Sequence, residues 1–443
     1  MSSPISAADV DRAATLLDGV TRRTPLRASA RLSEATGATV LLKREDVQPV
    51  RSYKLRGAYT LIASLTDEQR AKGVVCASAG NHAQGVAFAC AALGVHARIY
   101  LPRTTPRQKR DRVAAIGGPS VEVVVGGDVY DDAAESALRD AAETGATVVP
   151  AFDAAEVMAG QGTIAAEIAG ECIEELGHAP DVVVVPVGGG GLLGGVATWF
   201  RERHPDTRVV GVEPAGARSM IAALEAGGPV TLEEMDGFVD GAAVRRVGDL
   251  TYAAVAAADV EMVTVPEGAI CVEMLALYQT EGVIAEPAGA LAAAALPSLR
   301  LDPGSTVATE AGFAIEGSGW SEEGLTPSLQ RHPLHTPQSR IVKCVAKQPG
   351  RDACSAPSRR SPHALQFLVT LGHRRQGDRS DDIFIFNCNP HSNAGVAQGV
   401  YIQRVLAFIG RCRSDVVQVL PQECHQRMIL EVSLNDFKRR RGH

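Results

Sequence analysis

Short runs of valine, isoleucine and leucine recur along the chain from about residue 39. Each is followed by a polar or glycine-bearing turn and then an alanine-rich stretch. Runs this short and this uniformly apolar predict strands at 39–42, 74–77, 97–101, 121–125, 182–187, 209–212 and 262–265. The stretches between them predict helices at 83–93, 130–144, 164–176 and 267–281. Strands without a polar face are buried on both sides, so the rhythm predicts an α/β fold of two open, mostly parallel sheets covered by helices. Two interleaved α/β subdomains are expected within 1–307, with a soft boundary near 152–159.

The opening MSSPISAADVDRAATLL reads as a capped amphipathic helix, not as the charged start and apolar core of a secretory leader. Residues 182–200 are nineteen in a row without a charge, close to membrane-spanning length. Pro186 and six glycines interrupt them, which predicts a buried strand, a glycine loop and a helix. No membrane partner is expected.

Composition changes this picture little, but charge divides it. Residues 1–305 carry 26 Lys+Arg against 39 Asp+Glu, whereas 306–443 carry 18 against 12. An acidic body argues against nucleic acid and anionic membrane surfaces as partners. The nine cysteines form no CxxC and no Cys/His ligand cluster, so neither a metal site nor a disulfide framework is expected. Reduced thiols in a cytoplasmic protein are the expectation.

In doubly wound folds, ligands sit beyond the carboxyl ends of strands, where glycine loops lead into helices. Two loops meet that description. Ser78-Ala79-Gly80-Asn81-His82 follows the 74–77 strand, and Gly188-Gly189-Gly190-Gly191 follows 182–187. Each sets unpaired N–H groups at a helix start, a ready anion site. The second also matches a dinucleotide fingerprint through Gly189, Gly191 and Gly194, with Glu213 at the spacing of a ribose contact. An NAD-dependent dehydrogenase is therefore an alternative. Against it, the loop follows several βα units, whereas the fingerprint normally opens the first.

Lys54 is the other informative position. A basic stretch is most simply a solvated helix start. Yet a lysine at a helix N-terminus, with Arg51 and Arg56 nearby, has its ammonium disfavoured, and a neutral amine can form an imine.

Four segments then carry a resemblance. Ser52-Tyr53-Lys54-Leu55-Arg56-Gly57-Ala58, Ser78-Ala79-Gly80-Asn81-His82-Ala83-Gln84-Gly85, Ala159-Gly160-Gln161-Gly162-Thr163 and Gly188-Gly189-Gly190-Gly191-Leu192 stand in order. Asp240-Gly241-Ala242-Ala243-Val244 and Glu286-Pro287-Ala288-Gly289-Ala290 continue the pattern. Over roughly 5–307 the chain resembles the threonine dehydratases, pyridoxal 5'-phosphate (PLP) enzymes of the tryptophan-synthase-β-like fold, PLP fold type II. Linked motifs in order are far more specific than any one alone.

The resemblance implies a lyase that converts L-threonine to 2-oxobutanoate and ammonia, the first step of isoleucine, hence branched-chain amino-acid, biosynthesis. It implies that Lys54 holds the cofactor and serves as the catalytic base. Asn81 would bond the cofactor's ring hydroxyl, and Gly188, Gly189, Gly190, Gly191 and Leu192 would cradle its phosphate. Ser78, Ala79, Gly80, Asn81 and His82 would bind the substrate carboxylate through backbone N–H groups. The family also implies a homo-oligomer. Serine racemases of this fold place a second base, a serine, where this chain has Ala79, so elimination is expected to dominate. A broader serine/threonine dehydratase, a racemase-like enzyme and an inactive PLP-binding remnant are the remaining alternatives.

After Val307 the family pattern stops. A serine-glycine turn facing the cofactor's pyridine nitrogen is expected, but Gly312 takes the serine's place and Ser318 comes six residues late. Loss of that turn would impair activity. Residues 308–443 are rich in Arg, His, Cys, Ser and Pro, with no sustained period before about Ile383 and no rhythm of a regulatory domain. Composition, charge and family pattern break together, which reads as a gene out of frame from about codon 308, its product disordered. A divergent C-terminal domain is the alternative. A third reading, a nucleic-acid-binding tail, rests only on Lys438, Arg439, Arg440 and Arg441.

Overall fold

The computed structural model describes residues 3–310 continuously, and beyond them the strands between 341 and 429. The chain divides into two units, 1–320 and 321–443.

In the first unit the helices are α1 (Ala7–Leu17), α2 (Ala30–Thr36), α3 (Lys54–Ser64), α4 (Asp67–Lys72), α5 (Asn81–Leu93), α6 (Arg107–Gly117) and α7 (Tyr130–Thr144). They continue with α8 (Ala155–Leu176), α9 (Gly191–Arg203), α10 (Ser219–Ala226), α11 (Asp249–Ala258), α12 (Glu267–Ala276) and α13 (Pro287–Ala295). The strands are β1 (Leu26–Ala28), β2 (Thr39–Lys43), β3 (Val74–Ala77), β4 (Ala97–Leu101), β5 (Val121–Val125), β6 (Thr147–Val148), β7 (Val182–Pro186), β8 (Arg208–Pro214), β9 (Glu261–Val265) and β10 (Thr306–Glu310).

They form two sheets. One has the order β1-β2-β10-β7-β8-β9 and the other β5-β4-β3-β6. All pairings are parallel except β1 with β2. The apolar runs that predict strands fall in these ladders, and β7 is buried at every position. The uncharged stretch at 182–200 resolves into β7, the glycine loop and the start of α9. Among the described residues, no helix is long and apolar enough to cross a membrane.

The chain enters the larger sheet first, leaves it after β2 to build the smaller one, and returns along α8. It closes by inserting β10 between β2 and β7. The crossing near 152–159 is thus the second of two. Helix α8 begins at Ala155, nine residues before the predicted 164, because Gly160 and Gly162 lie against neighbours with no room for a side chain and so blur the apolar period. Ser6 and Asp9 close a capping box at α1, as the opening sequence predicts.

A buried ionic network ties these layers together. Arg56, in the first turn of α3, donates to both carboxylate oxygens of Glu45 at 2.8 and 2.9 Å and to those of Glu167 at 2.6 and 3.0 Å. Lys43, at the end of β2, donates to Glu171 at 2.5 Å and to the Thr24 carbonyl at 2.6 Å, and lies 2.8 Å from Glu167. Arg56, Lys43 and Glu45 have no exposed surface.

In the second unit, described strands at Ile341–Ala346, Leu365–Gly372, Asp381–Cys388, Val416–Leu420 and Met428–Ile429 pair in one sheet. This corrects the expectation of no period before Ile383. The alternation in LQFLVTLG is short and flanked by Arg, His, Ser and Pro, which dilute it in any longer window. Gly312, Ser318 and Lys438–Arg441 lie outside the described residues.

Breaking a buried pair leaves an uncompensated charge and typically costs about 3–5 kcal/mol. Arg56→Ala should lower unfolding free energy by about that much in urea titrations. Arg56→Met combined with Glu45→Leu should cost clearly less than the two single changes added.

Candidate active site

The carboxyl end of β7 and the start of α3 meet at one recess. It is lined by Tyr53, Lys54, Phe152, Pro186, Gly188, Gly189, Gly190, Gly191, Leu192 and Gly241. Lys54 and the tetraglycine loop, 134 residues apart in sequence, therefore face the same space. A more open groove beside α1 brings together Ser3, Asp9 and Glu202, but Asp9 already accepts from Ser6 and Glu202 from the Ala7 N–H.

Lys54 is the first residue of α3. Its Nζ lies 3.4 Å from the Ala151 carbonyl and 5.2 Å from the centre of the Tyr53 ring. Burial lowers its pKa to about 8, against the opposing pull of Glu286 and Glu310. The sequence reading credits Arg51 and Arg56, and this is corrected. The guanidinium of Arg56 is held by Glu45 and Glu167, and desolvation frees the amine.

The glycine loop is shaped by what crowds it. A Cβ on Gly189 would stand 2.2 Å from the Phe152 ring, and Gly190 has φ +89°, a conformation that favours glycine. Thr251 donates from its hydroxyl to the Gly189 carbonyl at 2.7 Å. Asp153, beside Phe152, accepts from the N–H groups of Leu250, Asp249 and Thr251 at the start of α11. Gly191 and Leu192 open α9, whose first N–H groups face the recess without helical partners. An anion fits there.

The Ser78–His82 turn lies at the carboxyl end of β3, where Gly80 caps α5 and donates to the Ser78 hydroxyl at 3.2 Å. Asn81 donates from its amide nitrogen to Glu286 at 2.8 Å. His82 meets the Val149 carbonyl through Nε2 at 2.9 Å, and burial lowers its pKa to about 4, so its ring is neutral. Only the backbone of His82 belongs to a candidate anion site. Ala79 carries no proton-transfer group.

Glu213 is not a ribose contact. Its carboxylate is buried and accepts from the Met220 and Ile221 N–H groups at 2.7 and 3.0 Å, holding the start of α10. The dinucleotide spacing is a coincidence of strand and helix lengths.

Sequence reasoning missed three contributors. Phe152 forms the wall of the loop, and nothing local marks it. Glu286 orients Asn81, and its motif could have pointed to it. Glu310 ends β10 with both carboxyl oxygens buried and unpartnered among the described residues.

The family profile described as "Pyridoxal-phosphate dependent enzyme" matches residues 17–310. The chain belongs to this family. Over 311 residues it is 59% identical to the biosynthetic L-threonine dehydratase IlvA of Mycobacterium tuberculosis, covering 69% of this chain and 72% of the relative. The processed form of threonine deaminase isoform 2 from Solanum lycopersicum superposes with a TM-score of 0.65 and 38% identity, covering 70% of this chain and 90% of that one. A maize serine racemase gives a TM-score of 0.66 at 29% identity, covering 71% and 95%.

The residues present fit the family's cofactor. A half-buried lysine of lowered pKa faces a cradle with no room for side chains, at a helix start suited to phosphate. Gly189→Ala should push the Phe152 ring aside and weaken PLP uptake at least tenfold, read from titration of the bound cofactor's visible band.

Proposed function

We propose that this chain is a PLP-dependent L-threonine ammonia-lyase, converting L-threonine to 2-oxobutanoate and ammonia in isoleucine biosynthesis. One observation carries the reading: a half-buried lysine whose amine has a lowered pKa shares a recess with a glycine-lined helix N-terminus. Relatives named as biosynthetic threonine dehydratases support the choice of substrate.

When bound, the pyridoxal group supplies an electron sink that makes the Cα proton of an attached amino acid removable. Lys54 would attach its aldehyde carbon, while Gly188–Leu192 and the α9 start would hold its phosphate. Asn81 would present the second proton of its amide nitrogen to the ring hydroxyl, since Glu286 holds the first. Backbone N–H groups of the Ser78–His82 turn would bind the substrate carboxylate at the α5 start. Lys54, displaced by the substrate amine, would take the Cα proton. Ala79 leaves the opposite face without a donor, which favours loss of the hydroxyl over return of a proton.

The catalytic machinery in this reading lies within 1–307, and its partner is a small amino acid. Cytoplasmic residence agrees with Cys76, Cys90 and Cys172 as buried free thiols. Homo-oligomer assembly agrees with an exposed apolar stripe on and just after α12, where Val272, Leu275 and Tyr278 stand three residues apart. An inactive PLP-binding remnant is the second reading, favoured by the unpartnered carboxyl of Glu310.

Purified protein should carry a visible cofactor band that borohydride removes, fixing the label on Lys54, and should release ammonia from L-threonine. Label without turnover would select the remnant; no label would end both readings. Lys54→Arg should lose the label and all turnover. Because only the neutral amine attacks an aldehyde, cofactor capture should speed up as pH rises through about 8 and then level off. Ala79→Ser should add racemisation of serine, read by chiral chromatography, with no gain in elimination.

A further inference from the structure

The tetraglycine loop takes a hydrogen bond on the side away from the recess. Thr251, in the first turn of α11, donates from its hydroxyl to the Gly189 carbonyl at 2.7 Å, and the Gly248 carbonyl stands farther off at 3.2 Å. Thr251 has no exposed surface and is not among the residues that line the recess. The Gly189 carbonyl that it holds is therefore turned away from the recess. Thr251 is itself fixed by Asp153, whose carboxylate accepts from the N–H groups of Asp249, Leu250 and Thr251.

A peptide unit is planar and trans, so its carbonyl and its N–H point in opposite directions. The unit between Gly189 and Gly190 has its carbonyl on Thr251, which aims the Gly190 N–H to the other side of the loop, where the recess lies. That N–H has no backbone partner among the described residues. It stands just ahead of the first N–H groups of α9, where an anion fits. The loop's own stereochemistry does not hold this orientation. Turning the unit over changes only ψ of Gly189 and φ of Gly190, and glycine accepts either sign of φ. The overturned unit would set a carbonyl oxygen where the N–H donor had been, against any anion in the recess.

We propose that Thr251 is a positioning residue for the cofactor's phosphate: its hydroxyl holds the Gly189–Gly190 peptide so that the Gly190 N–H faces the anion. This rests on the reading of Lys54 and Gly188–Leu192 as the cofactor's anchors, and adds the side chain that decides which way the loop faces. Thr251 does not touch the cofactor and acts through the Gly189 carbonyl alone. Its effect therefore falls on the phosphate and leaves the Lys54 amine able to capture an aldehyde.

The test compares the parent chain with T251S, which keeps the hydroxyl, and T251A, which differs from T251S by that one oxygen. Each apoprotein is titrated with PLP and, separately, with pyridoxal, the same aldehyde without a phosphate. Binding is read from the visible band, and attachment from borohydride labelling of Lys54; thermal melting of the apoproteins controls for folding. T251S should bind PLP as the parent does. T251A should bind PLP about tenfold more weakly, the weight of one lost hydrogen bond, while pyridoxal capture at Lys54 stays the same in all three. Parent-like PLP affinity in T251A would overturn the proposal. So would equal losses in T251S and T251A, which would assign the effect to the methyl group. Parallel losses of PLP and pyridoxal in T251A would overturn it too, since a general loosening of α11 does not distinguish the two aldehydes. No label on Lys54 from either aldehyde in the parent chain would overturn the anchors themselves.

Discussion

Arg56 holds two carboxylates from opposite sides, and the geometry of the recess depends on that grip. Its guanidinium joins Glu45, just after β2, to Glu167 on α8, while Arg56 itself belongs to the first turn of α3. Three segments distant in sequence are fixed at the turn that begins with Lys54. Buried ion pairs are weak sources of net stability, because desolvation offsets most of their attraction. What they fix well is geometry: planar, two-pronged contacts tolerate little rotation. With Lys43 bonded to Glu171 and the Thr24 carbonyl, every cation in this cluster has acceptors on more than one element. The start of α3 can therefore neither slide nor roll, and the amine of Lys54 is delivered to one place.

The glycine loop is held by a different principle. Its shape comes from neighbours that leave no volume, with Phe152 against Gly189 and Gly191 and Met220 against Gly190. Those neighbours are anchored in turn. Asp153 ties the residue after Phe152 to α11, and Thr251 on α11 returns a hydrogen bond to the Gly189 carbonyl. The same Glu213 that imitates a ribose ligand in sequence fixes the α10 start, and with it Met220. One ring of contacts thus closes around a glycine loop that has no side chains of its own to hold it.

Much of this was legible from residues alone, for physical reasons. The central strands of the larger sheet are short and mostly apolar, and the bounds 130–144 hold because α7 is amphipathic and ends at Gly145. Lys54, the Ser78–His82 turn and Gly188–Leu192 stand out from local motifs, and the structure places each at the start of a helix. What was not legible depended on distance. No window around Lys54 reveals that burial, rather than neighbouring arginines, lowers its pKa. Phe152 has no motif, and Glu310 looks like an ordinary charged residue until β10 is seen between β2 and β7. The strands beyond residue 340 were hidden by the polar loops around them.

The lowered pKa of Lys54 also depends on the state of its neighbours. Desolvation is the larger effect, and the opposing pull comes from Glu286 and Glu310. That pull exists only while those acids are ionised. Glu286 is bonded to Asn81, whereas Glu310 is buried without a partner and keeps its proton. A neutral Glu310 exerts no net charge on the amine, so its burial acts in the same direction as the burial of Lys54 itself. Desolvation thus opposes the charged form of both groups, lowering the pKa of the amine and raising that of the carboxyl. The consequence is chemical: the same dryness that eases the proton off the Lys54 amine holds one on the Glu310 carboxyl.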